Sequence, residues 1–221
     1  MRALVFFGKL LISIGCGVIL FVVWTLWGTG LLTEREQRQL DRAYAATPAV
    51  TASPVDDAGR ASVTPVDVPA SFRPRPGAPA FRLRIPKIGV NEVVVEGVGT
   101  EELRKGPGHY PACGNGFEPP LCIDGVPSFW PGEAGRAIVS GHRTTYGAPF
   151  FDLDRLRRGD RVVTETKWGT FVYEVTESVV VDATEPVTVT PGDPELVLTT
   201  CNPRYSAEER LLVYTRLVSS S

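Results

Sequence analysis

Three side chains in this chain could together carry out acyl transfer. Cys201 lies at the end of the apolar run Glu195-Leu-Val-Leu-Thr-Thr-Cys201, and Arg210 opens the next run, Arg210-Leu-Leu-Val-Tyr-Thr-Arg-Leu217. The polar segment between them, Asn202 to Glu209, predicts an antiparallel hairpin. In a hairpin the last residue of one strand faces the first of the next, so thiol and guanidinium meet at one mouth of the sheet. A nearby cation favours the thiolate, which is the nucleophile. His142, in Ser140-Gly-His-Arg-Thr-Thr-Tyr146-Gly147, follows the short apolar stretch Ala137–Ser140 and precedes a polar turn. That is a strand-end position suited to a general acid. Thiol, imidazole and guanidinium are the groups an acyl-transfer enzyme needs.

Other residues compete for these roles. Arg143, Arg204 and Arg216 are rivals to Arg210 as an oxyanion or substrate clamp. Strand alternation puts Arg216 on the same face as Arg210, but farther from the hairpin mouth. The other of the two histidines, His109, sits in the turn Gly106-Pro-Gly-His-Tyr110 and reads as structural. Of the four cysteines, Cys16 falls in a long apolar run and serves there as a small apolar residue. Cys113 and Cys122 bracket a Gly/Pro-rich loop. Outside the cytosol a disulfide closing that loop is the simplest reading, and it leaves Cys201 as the odd, reactive thiol. A zinc site needs about four ligands, and only His109 lies near these cysteines, so no metal and no cofactor are expected.

These groups need a scaffold and a location. A net charge of -2 gives no electrostatic reason to expect a nucleic-acid partner. Leu10 to Leu32 carries no formal charge and is long enough to span a bilayer core of about 30 Å as a helix. Trp24 and Trp27 fall near its end, where an interfacial aromatic belt belongs. A cleaved signal peptide is the competing reading, but the run exceeds the usual apolar region of about 7–15 residues. The expectation is a short cytoplasmic tail at 1–9 and a membrane anchor at 10–32. The basic residues on either side do not decide orientation, but the short cationic tail and the proposed disulfide place the C-terminal part outside. Thr33-Glu-Arg-Glu36 matches a capping box, predicting a polar helix to about Ala46. Thr47 to Pro79, rich in Pro and Ala, reads as an extended linker. Residues 80–221 are then one domain of many short strands, with helices at Glu101–Lys105 and Pro149–Leu156, which points to a β-barrel.

The ordered set of motifs resembles a sortase: a membrane anchor, a Pro-rich linker, Arg84-Ile-Pro-Lys-Ile-Gly89, Gly141-His-Arg-Thr-Thr-Tyr-Gly147, then Leu198-Thr-Thr-Cys201 and Arg210. The Gly-His-Arg-Thr-Thr-Tyr-Gly element resembles the class E type of Gram-positive bacteria. The resemblance implies a mainly β fold, an eight-stranded sortase-type barrel with short helices, preceded by one transmembrane helix. It implies a cysteine transpeptidase that cuts a C-terminal sorting signal, Leu-Ala-x-Thr-Gly or Leu-Pro-x-Thr-Gly, between Thr and Gly, forms a thioester, and passes the protein to a cell-wall precursor amine. By motif, Cys201 is the nucleophile, His142 the acid/base and Arg210 the clamp, with Tyr146, Thr200 and Arg143 at the substrate. The implied partners are sorting-signal proteins as acyl donors, a peptidoglycan precursor amine as acceptor, and the membrane. Asn202 departs from the pattern, in which class E members often carry His. The competing readings are a membrane-tethered cysteine hydrolase and a non-enzymatic envelope-binding module. Papain-like chains place Cys before His, however, and L,D-transpeptidases carry a Ser-His-Gly-Cys-x-Arg motif that this chain lacks.

Overall fold

The computed structural model of the chain describes residues 2–49, 65–68, 73–114, 118, 122, 128–185, 187 and 191–221. Alternation shapes the first strand, β1 (Pro79–Ile85): Phe81, Leu83 and Ile85 turn inward and are fully buried, while Arg82 and Arg84 turn outward. A tight turn ending at Gly89, φ 72°, returns the chain into β2 (Val90–Glu96), antiparallel to β1. The two-residue β3 (Gly108–His109), β4 (Arg136–Ser140), β5 (Arg161–Glu165), β6 (Thr170–Asp182), β7 (Glu195–Asn202) and β8 (Glu209–Ser220) complete the sheet. It closes into an eight-stranded barrel in the order β1-β2-β3-β4-β7-β8-β6-β5. This is the mainly β architecture the sequence predicts.

The barrel interior is filled by side chains such as Phe81, Phe150, Tyr173, Leu196 and Leu198, each fully buried. Burying a large apolar side chain contributes about 1.5–3 kcal/mol, and truncating one such as Leu198 to Ala would cost about 2–5 kcal/mol. β7 and β8 read as nearly continuous apolar runs because both of their faces are covered. Leu196 and Leu198 point into the barrel, whereas Val197 packs outside it with Ile138 of β4 and Leu212 of β8. Tyr110, Val181, Val187 and Tyr214 pack against this outer cluster. β4 and β7 run parallel within it. β6 breaks register between Val175 and Glu177, and its second half forms an arm paired with β8 as far as Asp182 opposite Glu209.

The N-terminal segment is one helical rod: α1 (Arg2–Val23), a π-helical turn at Trp24–Gly28, and α2 (Thr29–Ala46). Its apolar part is long enough to cross a membrane and makes no contact that buries it. The expected cap at Thr33 is not formed, because the helix is already under way there. The Thr33 hydroxyl instead donates to Thr29 O at 3.3 Å and to Arg104 O at 2.9 Å. α2 lies against the outer face of β2, where Leu40 and Tyr44 bury against Val93 and Val95. Of the stretch read as linker, residues 50–64 and 69–72 fall outside the described residues. Residues 65–68 do not hang free: Val66 N–H donates to Gly132 O at 2.8 Å, and Val68 is 2% exposed in the main core.

The expected helix at 149–156 reduces to a single 3-10 turn, Leu153–Arg155. Phe150 is the reason: it is fully buried, and its N–H is tied to His142 O at 3.1 Å. The predicted helix near Glu101 is α3 (Thr100–Leu103), with Gly99 at its cap position. Cys113 and Cys122 form a disulfide.

Candidate active site

β7 and β8 pair antiparallel with Cys201 directly opposite Arg210. Paired residues share a sheet face and bring their Cβ atoms to about 4.5–5.5 Å. Alternation places both on the outer face, that of Val197 and Leu212. On the other side of β7, Ser140 of β4 is in register with Thr199, and the ladder continues one step further through Gly141 N–H to Thr199 O at 3.1 Å. His142 therefore leaves the sheet beside Cys201. Both residues are partly exposed. The hairpin thus forms as expected from the sequence, and it brings the thiol and guanidinium into register at the strand end where the imidazole emerges.

The three groups have different surroundings. Arg210 Nη1 donates to Ala207 O and Glu209 O, both at 3.0 Å, which bends the guanidinium over the hairpin loop. Its charge reaches Tyr110, whose hydroxyl is pushed up by burial and pulled the other way by Arg210. The His142 ring stacks at a tilt on Tyr146, centroids 5.0 Å apart. Burial first, and the Arg104 guanidinium second, hold the His142 imidazole below its ordinary value, so the neutral ring is favoured. Arg104 in turn lies 5.7 Å from the centre of the Tyr146 ring.

Two residues expected at the substrate do something else in this geometry. Thr200 is on the face opposite Cys201, 1% exposed, and its hydroxyl donates to Gly141 O at 2.8 Å. It fastens β7 to the end of β4 instead of lining a groove. Arg143 is 4% exposed and grips the strand behind the thiol: Nη1 donates to Cys201 O at 3.1 Å and Asn202 Oδ1 at 2.7 Å, and Nη2 meets Asp154 at 3.0 Å. Arg204 extends the same network to Asp152 and Asp154. Arg216, the third rival, stands in register with Glu195 at the far end of the hairpin from Cys201, and its guanidinium meets Glu174 at 3.8 Å. Tyr146 remains partly exposed beside His142.

Sequence reasoning missed Asp154, Arg104 and Thr29, and it noted Asn202 only as a departure from the pattern. Asn202 bridges Arg143 and Glu209, donating from Nδ2 to Glu209 Oε2 at 2.6 Å, and so laces the hairpin mouth shut. Its signal was its place directly after the thiol. Thr29 accepts a hydrogen bond from Tyr146 N–H at 3.1 Å, across a sequence distance that no local pattern reveals. His109 is buried, with Nδ1 2.7 Å from Glu96 Oε2 and Nε2 2.9 Å from Phe129 O. Burial alone would lower its pKa, but the charge and hydrogen bond of Glu96 outweigh that and raise it. The ring is an internal brace between β3 and β2. Among the described residues, no cluster of His, Cys, Asp and Glu could hold a metal ion.

Comparison with known proteins identifies the family. The family model of the Sortase domain matches residues 83–218. Sortase D of Bacillus subtilis is 34% identical over 155 residues, covering 68% of this chain and 69% of its own length. Sortase SrtE1 of Streptomyces coelicolor is 28% identical over 226 residues, and the match spans 96% of this chain but 56% of that protein. Among solved structures, sortase E from Streptomyces avermitilis superimposes with a TM-score of 0.52 at 31% identity, covering 67% of this chain and 93% of that one. A Clostridium perfringens sortase D5 transpeptidase gives 0.55 at 25% identity, covering 68% of this chain and 85% of that one. With the family's domain matched across the whole barrel, the chain belongs to the sortases, a family of cysteine transpeptidases.

Proposed function

We propose that this sortase cuts a C-terminal sorting signal of the Leu-Ala-x-Thr-Gly or Leu-Pro-x-Thr-Gly kind between Thr and Gly, and transfers the new carboxyl end to an amine of a cell-wall precursor. The pairing of Cys201 with Arg210 across β7 and β8, beside the exit of His142 from β4, carries this reading. The Cys201 thiolate attacks the Thr carbonyl carbon, and Arg210 holds the developing oxyanion. The C–N bond then breaks, and His142 as imidazolium donates its proton to the departing Gly amine. The acyl group is left on sulfur as a thioester. The incoming amine attacks the thioester carbonyl, gives its proton to the now neutral His142, and the thiolate leaves. Arg143 and Asn202 orient the strand that carries sulfur, and Tyr146 flanks the ring that moves the proton.

The site's place along the N-terminal rod supports action at a membrane surface, with α1 crossing the bilayer and the barrel outside. Leu26 and Gly30 of the rod share a cleft of about 300 Å³ with Thr144, Gly147, Phe151 and Tyr205, residues of the loops that flank the site. The catalytic mouth therefore lies beside the last third of the apolar run, at Leu26 to Gly30. Sorting-signal proteins and lipid-facing precursors would meet the enzyme there.

The test uses the full chain in detergent or nanodiscs with Leu-Ala-x-Thr-Gly and Leu-Pro-x-Thr-Gly peptides and an amine. We expect an acyl adduct on Cys201 by intact mass, transfer to the amine, and loss of both in Cys201→Ala. Absence of the adduct with every sorting peptide tried would refute the proposal.

A further inference from the structure

We propose that α2 is a working part of the active site, with Thr29 as a positioning residue that holds the turn at Tyr146–Ala148 and, through Tyr146, the ring of His142. The inference rests on the proposed use of His142 as the proton-transfer group.

The turn needs holding. Tyr146, Gly147 and Ala148 have consecutive φ values of 50°, 76° and 46°. Glycine adopts such angles freely, but tyrosine and alanine do so only where the surroundings enforce them. Three bonds restrain the turn from within its own loop: Ala148 N–H to Thr145 O at 2.9 Å, Phe151 N–H to Ala148 O at 3.0 Å and Phe150 N–H to His142 O at 3.1 Å. Thr29 restrains it from outside, because its Oγ1 accepts from Tyr146 N–H. That hydroxyl donates its own proton to Thr25 O at 2.9 Å, which leaves an acceptor lone pair for Tyr146. The fit is close on both sides. A Cβ on Gly30 would lie 3.7 Å from the Gly147 backbone, and one on Gly147 would lie 3.4 Å from the Thr33 methyl.

The helix has anchors of its own, independent of the turn. Gln37 bonds both the N–H and the C=O of Val93, at 2.9 and 3.0 Å, and also Lys105 O at 2.8 Å. Thr33 donates to Arg104 O, which fixes the backbone of the residue whose guanidinium lies over Tyr146. The chain of contact runs from Thr29 to Tyr146 to His142, with Arg104 held against the same ring from the other side. His142 is faced by Tyr146 from its own loop and by the Arg104 cation after α3, and it leaves β4 beside the end of β7, where Cys201 is paired with Arg210 of β8. Near it, α2 offers the neutral hydroxyls of Thr29 and Thr33. A shift of the turn therefore changes how the ring is oriented and how far it stands from Arg104.

The test compares Thr29→Val, which keeps shape and loses the acceptor, with Thr29→Ser, which keeps it, in the full chain in nanodiscs. Two readouts are taken: kcat and KM with a sorting peptide, and the pH dependence of Cys201 alkylation by iodoacetamide, with the site assigned by peptide mass. For Thr29→Val, kcat should fall about tenfold with KM nearly unchanged, as for a misplaced catalytic group. The alkylation midpoint should move by roughly 0.3 pH units or more. Thr29→Ser should restore both, and thermal melting should show all three proteins folded. A Val variant matching wild type in both readouts overturns the proposal, as does a loss that Ser fails to rescue or a change in KM alone. If the wild type turns over no sorting peptide, the proposed reaction fails, while the alkylation arm still decides the role of Thr29.

Discussion

Arg104 acts on His142 through its charge. The cation adds to burial in disfavouring the charged form of His142, yet the proposed reaction needs that form to protonate the leaving amine. Replacing Arg104 with Gln removes the smaller of the two causes and leaves burial in place. The backbone bond from Thr33 to Arg104 O is unaffected, and the ion pair lost to Glu101 is a surface one worth under about 1 kcal/mol. With burial and Arg104 holding His142 below its ordinary value of 6.5, the limb of the kcat/KM profile that follows it should lie below that value in the wild type. In Arg104→Gln it should shift to higher pH. A limb that stays put, or moves to lower pH, would remove Arg104 from the electrostatics of the site. At this scale the sequence was legible where function follows strand order: Cys201, Arg210 and His142 could be placed from apolar runs and loop lengths alone. Arg143 and Thr200 were not legible, because which face a side chain takes at a strand's last residues depends on the neighbouring strand. Arg143 lies behind the sulfur because Asp154 and Asn202 draw it there.

Among the elements, α2 was legible as a polar helix ending near Ala46, but its docking on the barrel was not. Its docking face is polar: Gln37, Asp41 and Thr33 do most of the bonding, with Leu40 and Tyr44 alone supplying buried apolar contact. A search for an apolar stripe passes over such a helix. β3 escaped for a different reason, since two residues cannot show a period of two. The α2 contact also contains a carboxyl in an unfavourable place. Glu92 of β2 is mostly buried, and none of the described residues gives its Oε2 a hydrogen bond. Burial first, then the nearby charge of Asp41 on α2, raise it from 4.5 to about 7. Asp41 itself is paired with Arg82, and Gln37 and Lys105 adjoin the same contact. With the folded value above the unfolded one, the folded state binds the proton more tightly. Its stabilising effect is complete below pH 4.5 and is lost as pH rises towards 7. The full effect is on the order of 3 kcal/mol, taken as an upper bound. Glu92→Gln should therefore flatten the decline in urea-denaturation stability across that window and leave the variant the more stable protein at pH 8. Equal pH slopes for both proteins would show that Glu92 finds a partner the structure does not provide.

For the whole molecule, the sequence suggests three separate parts, an anchor, a tether and a barrel beginning near residue 80, whereas the structure packs pieces of all three together. Local patterns identify each piece but hold no information about contacts between residues far apart in sequence. Tyr44 OH donates to Glu165 O at 2.6 Å across 121 positions. Val68 N–H donates to the buried Glu133 carboxylate at 3.2 Å, and Glu133 also accepts from Trp130 N–H at 2.7 Å. A chain cut to residues 80–221 loses the buried side chains of Leu40, Tyr44 and Val68, and it exposes the surfaces of Val93 and Val95 that α2 covers. At about 1.5–3 kcal/mol for each lost side chain, the deficit approaches the roughly 5–15 kcal/mol that holds a typical domain together. Melting should fall by roughly 10–35 °C relative to a chain beginning at Thr29, given about 2–4 °C per kcal/mol for a domain of this size. The shortened barrel should also lose activity at temperatures where it remains folded, since it lacks Thr29 and Thr33. Scanning calorimetry on the two chains, paired with peptide turnover well below both midpoints, separates these effects. Equal midpoints would mean that α2 only rests on the barrel. A lower midpoint with full turnover would mean that it stabilises the fold without serving the site.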